Sequence, residues 1–414
     1  MAIPSASIRP SRAGSSAGPS DVARRVTQRV TNVAHVLHDG LVDMLYALLP
    51  VLAEAFGLSY SQVGLVRAAN RTAAAALQLP AALVSERVGA RSMLAAGTLL
   101  AGGALVALGL AESFVGILVC CVLLGAGGAV QHPLSSALLT EAFTGDGRRR
   151  ALGVYNAFGD VGKFGFLGIA VAAVGLGIGW RLPVLGFALA ALVVGLWLGR
   201  ALHAVGIGDP PPARGGSGPK VAWRQSWGMR SGRGVAALTA IAALDSSTRT
   251  GFLTFVAFAL IEKGVDTGWA GSAVLVALLG GMAGKYACGL LAERVGVVRT
   301  IAITEIWTAL GILAVVALPA LPAYAVLPLL GVALNGTSSV IYGTVGELIE
   351  DGRHARAYGA IYTLGSVCGI VAPLVYGASA DLVGLSTTLV VVAGVVLVTL
   401  PLLPTLARAL ATAR

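Results

Sequence analysis

Charge is scarce in this 414-residue chain: 12% of its residues are Asp, Glu, Lys or Arg, against about 25% in soluble domains. With 56% hydrophobic residues and a mean hydropathy of +0.84, a water-soluble fold would carry more apolar surface than its core can hide. An ordinary soluble enzyme is excluded, and lipid is the expected solvent. Cysteine is also scarce. Cys120, Cys121, Cys288 and Cys368 all fall in apolar runs without CxxC spacing, so they read as small buried hydrophobes rather than a disulfide frame or a thiolate metal site. No nucleotide-binding loop is present: "GMAGKYACG" (281–289) lacks the Walker spacing and the hydroxyl after Lys285. No catalytic triad stands out. An enzyme, a cofactor and a resident metal are therefore not expected, and neither is ATP as the energy source. The first 30 residues, rich in Ser, Ala, Pro and Arg, lack the short apolar core of a signal peptide and read as a disordered cytoplasmic tail.

What the chain does have is length in apolar runs. A membrane span needs about 20 mostly apolar residues. Twelve stretches qualify: 31–56, 61–85, 92–111, 114–141, 152–176, 182–200, 234–261, 268–292, 298–318, 322–348, 356–380 and 384–407. Most of the 29 Lys and Arg residues fall on one side of them. Loops holding Arg87 and Arg91, Arg148 to Arg150, Arg294 and Arg299, and Arg353 and Arg356 alternate with loops nearly free of basic residues. Because positive loops stay inside, both termini are expected to be cytoplasmic. The net charge of +10 thus orients the chain, and nucleic acid is not an expected partner.

The sequence also repeats. "ALVSERVGARSML" (82–94) and "GLLAERVGVVRTI" (289–301) share the run Glu-Arg-Val-Gly half a chain apart. A second echo links "LLG", Glu141, Arg150, Ala151 and Gly153 with "LLG", Glu347, Arg356, Ala357 and Gly359. Between the halves lies "GDPPPARGGSGPK", a linker by composition. The expected architecture is all-α integral membrane, with twelve transmembrane helices as two pseudo-symmetric six-helix bundles. The bundles would span 31–200 and 234–407, joined by a basic cytoplasmic linker at 201–233, with tails at 1–30 and 408–414. Two parallel halves of this kind form a transporter architecture.

These residues carry a resemblance. "ALVSERVGARS" resembles the signature G-x-L-a-D-R-x-G-R-R of the major facilitator superfamily, with Ala82, Glu86 and Ala90 as departures; the second copy restores Gly289. The likeness covers the whole chain in topology and both halves in motif. It implies that Glu86, Arg87, Glu293 and Arg294 brace a cytoplasmic gate, and that spans three, six, nine and twelve face lipid. A narrower likeness, in His35-x-x-His38-Asp39, Pro50, "LSYSQVGL" (58–65) and "QHP" (131–133), is similar to the fosmidomycin-resistance branch. That branch implies an exporter that exchanges drug for protons.

Ionisable residues inside spans are costly and are functional candidates by default. Spans three, six and twelve carry none, apart from Arg200 at the last position of span six, whereas spans one, two, five, seven and eight carry most. At about 100° per residue, His35, His38, Asp39 and Asp43 share an arc of about 140° on the first span, reaching roughly 18 Å deep at Asp43. Arg67, Arg71 and Gln78 share a face of span two, and Asn156, Asp160 and Lys163 one of span five. Span seven offers Asp245 and Arg249, and span eight Lys285. Glu305 in span nine is expected near the cytoplasmic surface in a structural role.

Two readings remain open. In one, Asp160–Lys163, Asp245–Arg249 and Asp43–Arg71 are merely neutralised pairs. In the other, Arg71 and Lys163 bind a small anion, while His35, His38, Asp39 and Asp43 pass protons. Asp43, Asp160, Asp245 and Arg249 would join Arg71 and Lys163 in lining the substrate site. Gln131 and His132, beside the bend that Pro133 imposes, and Asn335 and Tyr342 of span ten complete the lining. The leading expectation is proton-coupled export of a small anionic or amphipathic compound by alternating access. Uptake of an organic anion by symport or exchange is the alternative, and a non-transporting membrane sensor or scaffold is a third class. A monomer in the bacterial inner membrane is expected, with protons, lipid and a small molecule as its partners.

Overall fold

A computed structural model describes residues 20–209, 229–349 and 354–413. Among them the backbone is helical apart from turns and one isolated antiparallel bridge between Met229 and Ile349. The helices of the first half are α1 (Asp21–Phe56), α2 (Tyr60–Val88), α3 (Ala90–Gly109), α4 (Phe114–Gly128), α5 (Gln131–Ala142), α6 (Gly145–Gly175) and α7 (Arg181–Ala204). Those of the second are α8 (Gly232–Ile261), α9 (Thr267–Ala270), α10 (Ser272–Val295), α11 (Val297–Ala317), α12 (Ala320–Leu348), α13 (His354–Val383), α14 (Leu385–Leu397) and, after a 3-10 turn at Leu400–Leu402, α15 (Leu403–Ala413).

Two expected boundaries move. The tail at 1–30 ends early, because α1 begins at Asp21 with the Ser20 hydroxyl capping the Ala23 amide. "DVARRVTQRV" has no proline or glycine to stop a helix once that cap is set. At the other end α15 runs to Ala413, so 408–413 is helical rather than a tail. Residues 1–19 and 210–228, including most of the proline-rich linker, lie outside the described residues.

Among the described residues, ten helical segments are long and apolar enough to cross a membrane. The expected twelve also need α2 and α8. Both are long enough, yet they fall outside the set, and they carry Arg67, Asn70, Arg71 and Gln78, and Asp245 and Arg249, respectively. The span expected at 114–141 is interrupted between α4 and α5. Pro133 has no N–H for the Ala129 carbonyl, so the helix breaks one turn before it.

Packing repeats between the halves. The pair α1–α6 corresponds to α8–α13, α2–α4 to α10–α12, and α3–α7 to α11–α14. The repeated Glu-Arg-Val-Gly run ends α2 and α10 in the same way: Gly89 sits at φ 89°, ψ 141° and Gly296 at φ 88°, ψ 154°. Only glycine adopts that backbone without strain, so the sequence repeat is also a repeat of shape.

Between the halves, α2 lies against α13. A Cβ at Gly64 would fall on the Pro373 carbonyl, and one at Gly377 on that of Tyr60. Asp381 sits where these helices meet and accepts the backbone N–H groups of Tyr60 and Ser61, each at 2.8 Å. The Tyr60 hydroxyl donates to Glu262 at 3.0 Å. The two halves are thereby joined at the end of the molecule opposite the Gly89 and Gly296 turns.

Candidate functional site

Glycines set the geometry at the centre. A Cβ at Gly162 of α6 would fall on the Val36 carbonyl, and one at Gly159 would meet His35 Nε2 at 2.6 Å and Asp39 Oδ2 at 2.9 Å. Without those glycines α6 could not approach the polar face of α1. With them, Lys163 reaches the α1 carboxylates.

Asp39 is the hub. Its carboxylate lies 3.2 Å from His35 Nε2, 3.5 Å from His132 Nε2 and 3.3 Å from Lys163 Nζ. His35 is buried, stacked at 3.9 Å on the Tyr155 ring, and its Nδ1 lies 2.8 Å from the Tyr155 carbonyl oxygen. A carbonyl can only accept, so Nδ1 carries a proton there. Nε2 then needs a second proton, its own or one from Asp39, to bond the carboxylate it faces. The His35–Asp39 contact, at 3.2 Å, is within reach of one hydrogen bond. Gln131 donates to the Tyr155 hydroxyl at 2.9 Å and so steadies the ring beneath His35.

The other carboxylates are shared as well. Asp160 meets Lys163 at 3.3 Å and Lys285 of α10 at 3.1 Å, a bridge between the two halves. Asp43 pairs with Arg67 at 3.8 Å, not with Arg71 as its depth implied. Arg67 is fully buried, donates to the Val42 carbonyl at 3.0 Å and lies 3.9 Å over the Tyr46 ring. Arg71 is left half-buried, with no ion-pair partner among the described residues. Asp245 and Arg249 are in contact, loosely, at 4.0 Å.

These groups surround a cavity of about 550 Å³ between the halves. Nine of the ten expected substrate residues line it: Asp43, Arg71, Gln131, His132, Asp160, Lys163, Arg249, Asn335 and Tyr342. Asp245 is the exception and lies behind the wall. His38 and Asp39 also line the cavity, whereas His35 sits behind them. The His38 ring is turned toward α3, with Nε2 2.9 Å from Thr98 Oγ1, and among the described residues no hydrogen bond joins it to Asp39. The gate candidates Glu86, Arg87, Glu293 and Arg294 are exposed and make no ion pair among the described residues.

The sequence reading had named Lys285 and Arg67 but not their partners, and it had not singled out Tyr155. Their pairings are long-range contacts, invisible to spacing along one helix. Glu305, expected near the cytoplasmic surface, is wholly buried among the helices.

His35, Asp39 and His132 place ligand atoms within 4.8 Å of one another, a spacing that a metal ion could use. The Lys163 ammonium, 3.3 Å from the same carboxylate, already supplies its counter-charge and would repel a second cation. The cluster is better suited to holding protons.

Comparisons with known proteins agree with this architecture. The family model described as Major Facilitator Superfamily matches residues 32–373. The chain is 29% identical over 162 residues to the Fosmidomycin resistance protein of Escherichia coli (strain K12), a match covering 39% of each. Among solved structures, the chain is similar to a bacterial homologue of the human lysosomal transporter Spinster in its inward-facing, occupied form. There the TM-score is 0.77 at 17% identity, over 95% of this chain and 99% of that one. It is also similar to the nucleoside transporter NupG (D323A mutant), with a TM-score of 0.73 at 13% identity, over 92% and 99% of the two chains.

Proposed function

This chain belongs to the Major Facilitator Superfamily, and we propose that it carries a small anionic compound across the membrane by alternating access, with Arg71 as the anchor. As a member it is a multi-pass membrane transporter of a small molecule, not an enzyme. The observation that carries the anion reading is the state of Arg71: a guanidinium on the cavity wall, without a carboxylate partner among the described residues, beside neighbours that are already paired. A carboxylate or phosphonate would fit its fork bidentately. Lys163 and Lys285 stand ready to share such a charge by leaving Asp160 or Asp39.

Proton coupling is proposed at His35 and Asp39, where the hydrogen-bond geometry calls for an exchangeable proton. An anion that draws Lys163 away leaves Asp39 without its counter-ion, so anion and proton bind cooperatively. That supports movement of the anion together with a proton. A second reading is export in exchange for protons, favoured by the name of the relative, a resistance protein. Here the twelve spans form two six-helix bundles, the termini are cytoplasmic, and the protein is a monomer in a bacterial inner membrane. The cavity then opens to the cytoplasm past Glu86, Arg87, Glu293 and Arg294, and Asp381 bars the far end.

Arg71→Ala is expected to abolish transport in proteoliposomes while leaving a folded, membrane-inserted protein. Wild-type flux in that variant would end the anion-site reading. Counterflow under an imposed pH gradient separates the two directions: acceleration by co-directed protons supports symport, and acceleration by opposed protons supports export by exchange.

A further inference from the structure

One acid stands outside everything described so far. Glu305 on α11 is fully buried, and both its carboxylate oxygens lack a hydrogen-bond partner. Thr308 Oγ1, one turn further along α11, and Thr248 Oγ1 on α8 are likewise buried without partners. Helices α8 and α11 are in contact, and α8 carries the buried Asp245 with its partner Arg249. Among the other helices packed on α11, α14 has no titratable side chain. Those of α10 (Lys285, Tyr286, Cys288, Glu293, Arg294), α12 (Tyr324, Tyr342, Glu347) and α15 (Arg408) make no hydrogen bond with Glu305.

Two buried carboxyl groups thus stand on helices in contact with each other, and one guanidinium, that of Arg249, pairs with Asp245 alone. If both were ionised, one negative charge would be buried with no counter-ion, at a cost of several kcal/mol. A single proton balances the set. Arg249 is also the member that faces the cavity; its side chain is 22% exposed and its contact with Asp245 is loose.

We propose that Glu305 and Asp245 form a proton-binding site behind the cavity wall, coupled to the transported anion through Arg249. The coupling rests on the anionic-substrate reading above; the proton site does not. An anion in the cavity draws Arg249 toward itself, Asp245 loses its counter-ion, and one further proton enters the pair. Release of the anion returns Arg249 and expels that proton.

Infrared spectroscopy of the full-length protein in lipid nanodiscs tests the site without any ligand. Wild type should show the carbonyl stretch of a buried protonated carboxylic acid, shifted in D2O and lost in Glu305→Gln. Asp245→Asn should lose it too, since Arg249 and Glu305 then balance as an ion pair; a carboxyl that is merely packed would keep its band. A wild-type spectrum unchanged in both variants overturns the proton site. For the coupling, methylphosphonate is added in weak buffer with a pH indicator. Wild type should take up more protons than the Asp245→Asn/Glu305→Gln double variant, and equal uptake overturns the coupling. If methylphosphonate neither binds nor shifts the melting temperature, the anion reading and the coupling fail together, while the infrared result still decides the proton site.

Discussion

The two halves share a plan but not an electrostatic style. In the first, ionic groups are close and shared: Asp39 serves His35, His132 and Lys163 within 3.5 Å, and Arg67 is held at once by Asp43, Tyr46 and a backbone carbonyl. In the second, Asp245 and Arg249 barely touch at 4.0 Å and Glu305 has no bond at all. A repeat that duplicates shape need not duplicate chemistry. The tight half is organised before a ligand arrives. The loose half keeps groups that can change partners when one does.

That contrast can be broken in several ways. The largest effect is expected for Arg67→Ala, which leaves Asp43 unpaired inside the first half. Breaking a buried pair from one side costs about 3–5 kcal/mol, so the variant should melt far below wild type, and an unchanged melting temperature would mean the pair is not structural. Asp39→Asn comes next. It should reduce proton-coupled flux to background while lowering stability by about 1–3 kcal/mol; retained coupling would move the relay elsewhere. A milder effect, of a different kind, belongs to Gly64→Ala. Its new methyl would strike the Pro373 carbonyl only while α2 and α13 are together. It should therefore bias the protein away from this conformation, seen as altered distances by double electron–electron resonance. Gly280→Ala, against the Pro328 carbonyl inside one half, should destabilise the fold in every conformation. The smallest change in stability is expected for Asp245→Asn, because Arg249 keeps its access to the cavity and Glu305 is left to balance it, measured as a small shift in melting temperature.

Much of this was legible in the sequence. The polar face of α1, the repeat, and the sparing of spans three, six and twelve all follow from periodicity, and nine of the ten expected substrate residues do line one cavity. Partners were harder to read. Arg67 and Arg71 share one face of α2, so spacing could not say which of them meets Asp43; that depends on the crossing of α1 and α2. His38 lies on the same arc as Asp39 but turns to Thr98, a rotamer choice that no pattern reveals. His132 looked solitary because its partner is nearly a hundred residues away in the chain. Glu305 sits in an otherwise apolar helix, and only the packing of α8 and α14 on α11 shows how deeply it is hidden.

The Asp381 contact has a consequence for time rather than structure. It joins one exposed carboxylate to two backbone N–H groups, so no side chain at 60 or 61 is needed to make it, and solvent screens it. A fastening of that kind is easily made and easily undone. If the carrier works by alternating access as proposed, the strength of this fastening bears on how long this end stays joined in each turnover. On the alternating-access reading, tightening it would hold the protein longer in this conformation and loosening it would shorten the dwell, and the apparent affinity of the central cavity would shift with the population of this conformation.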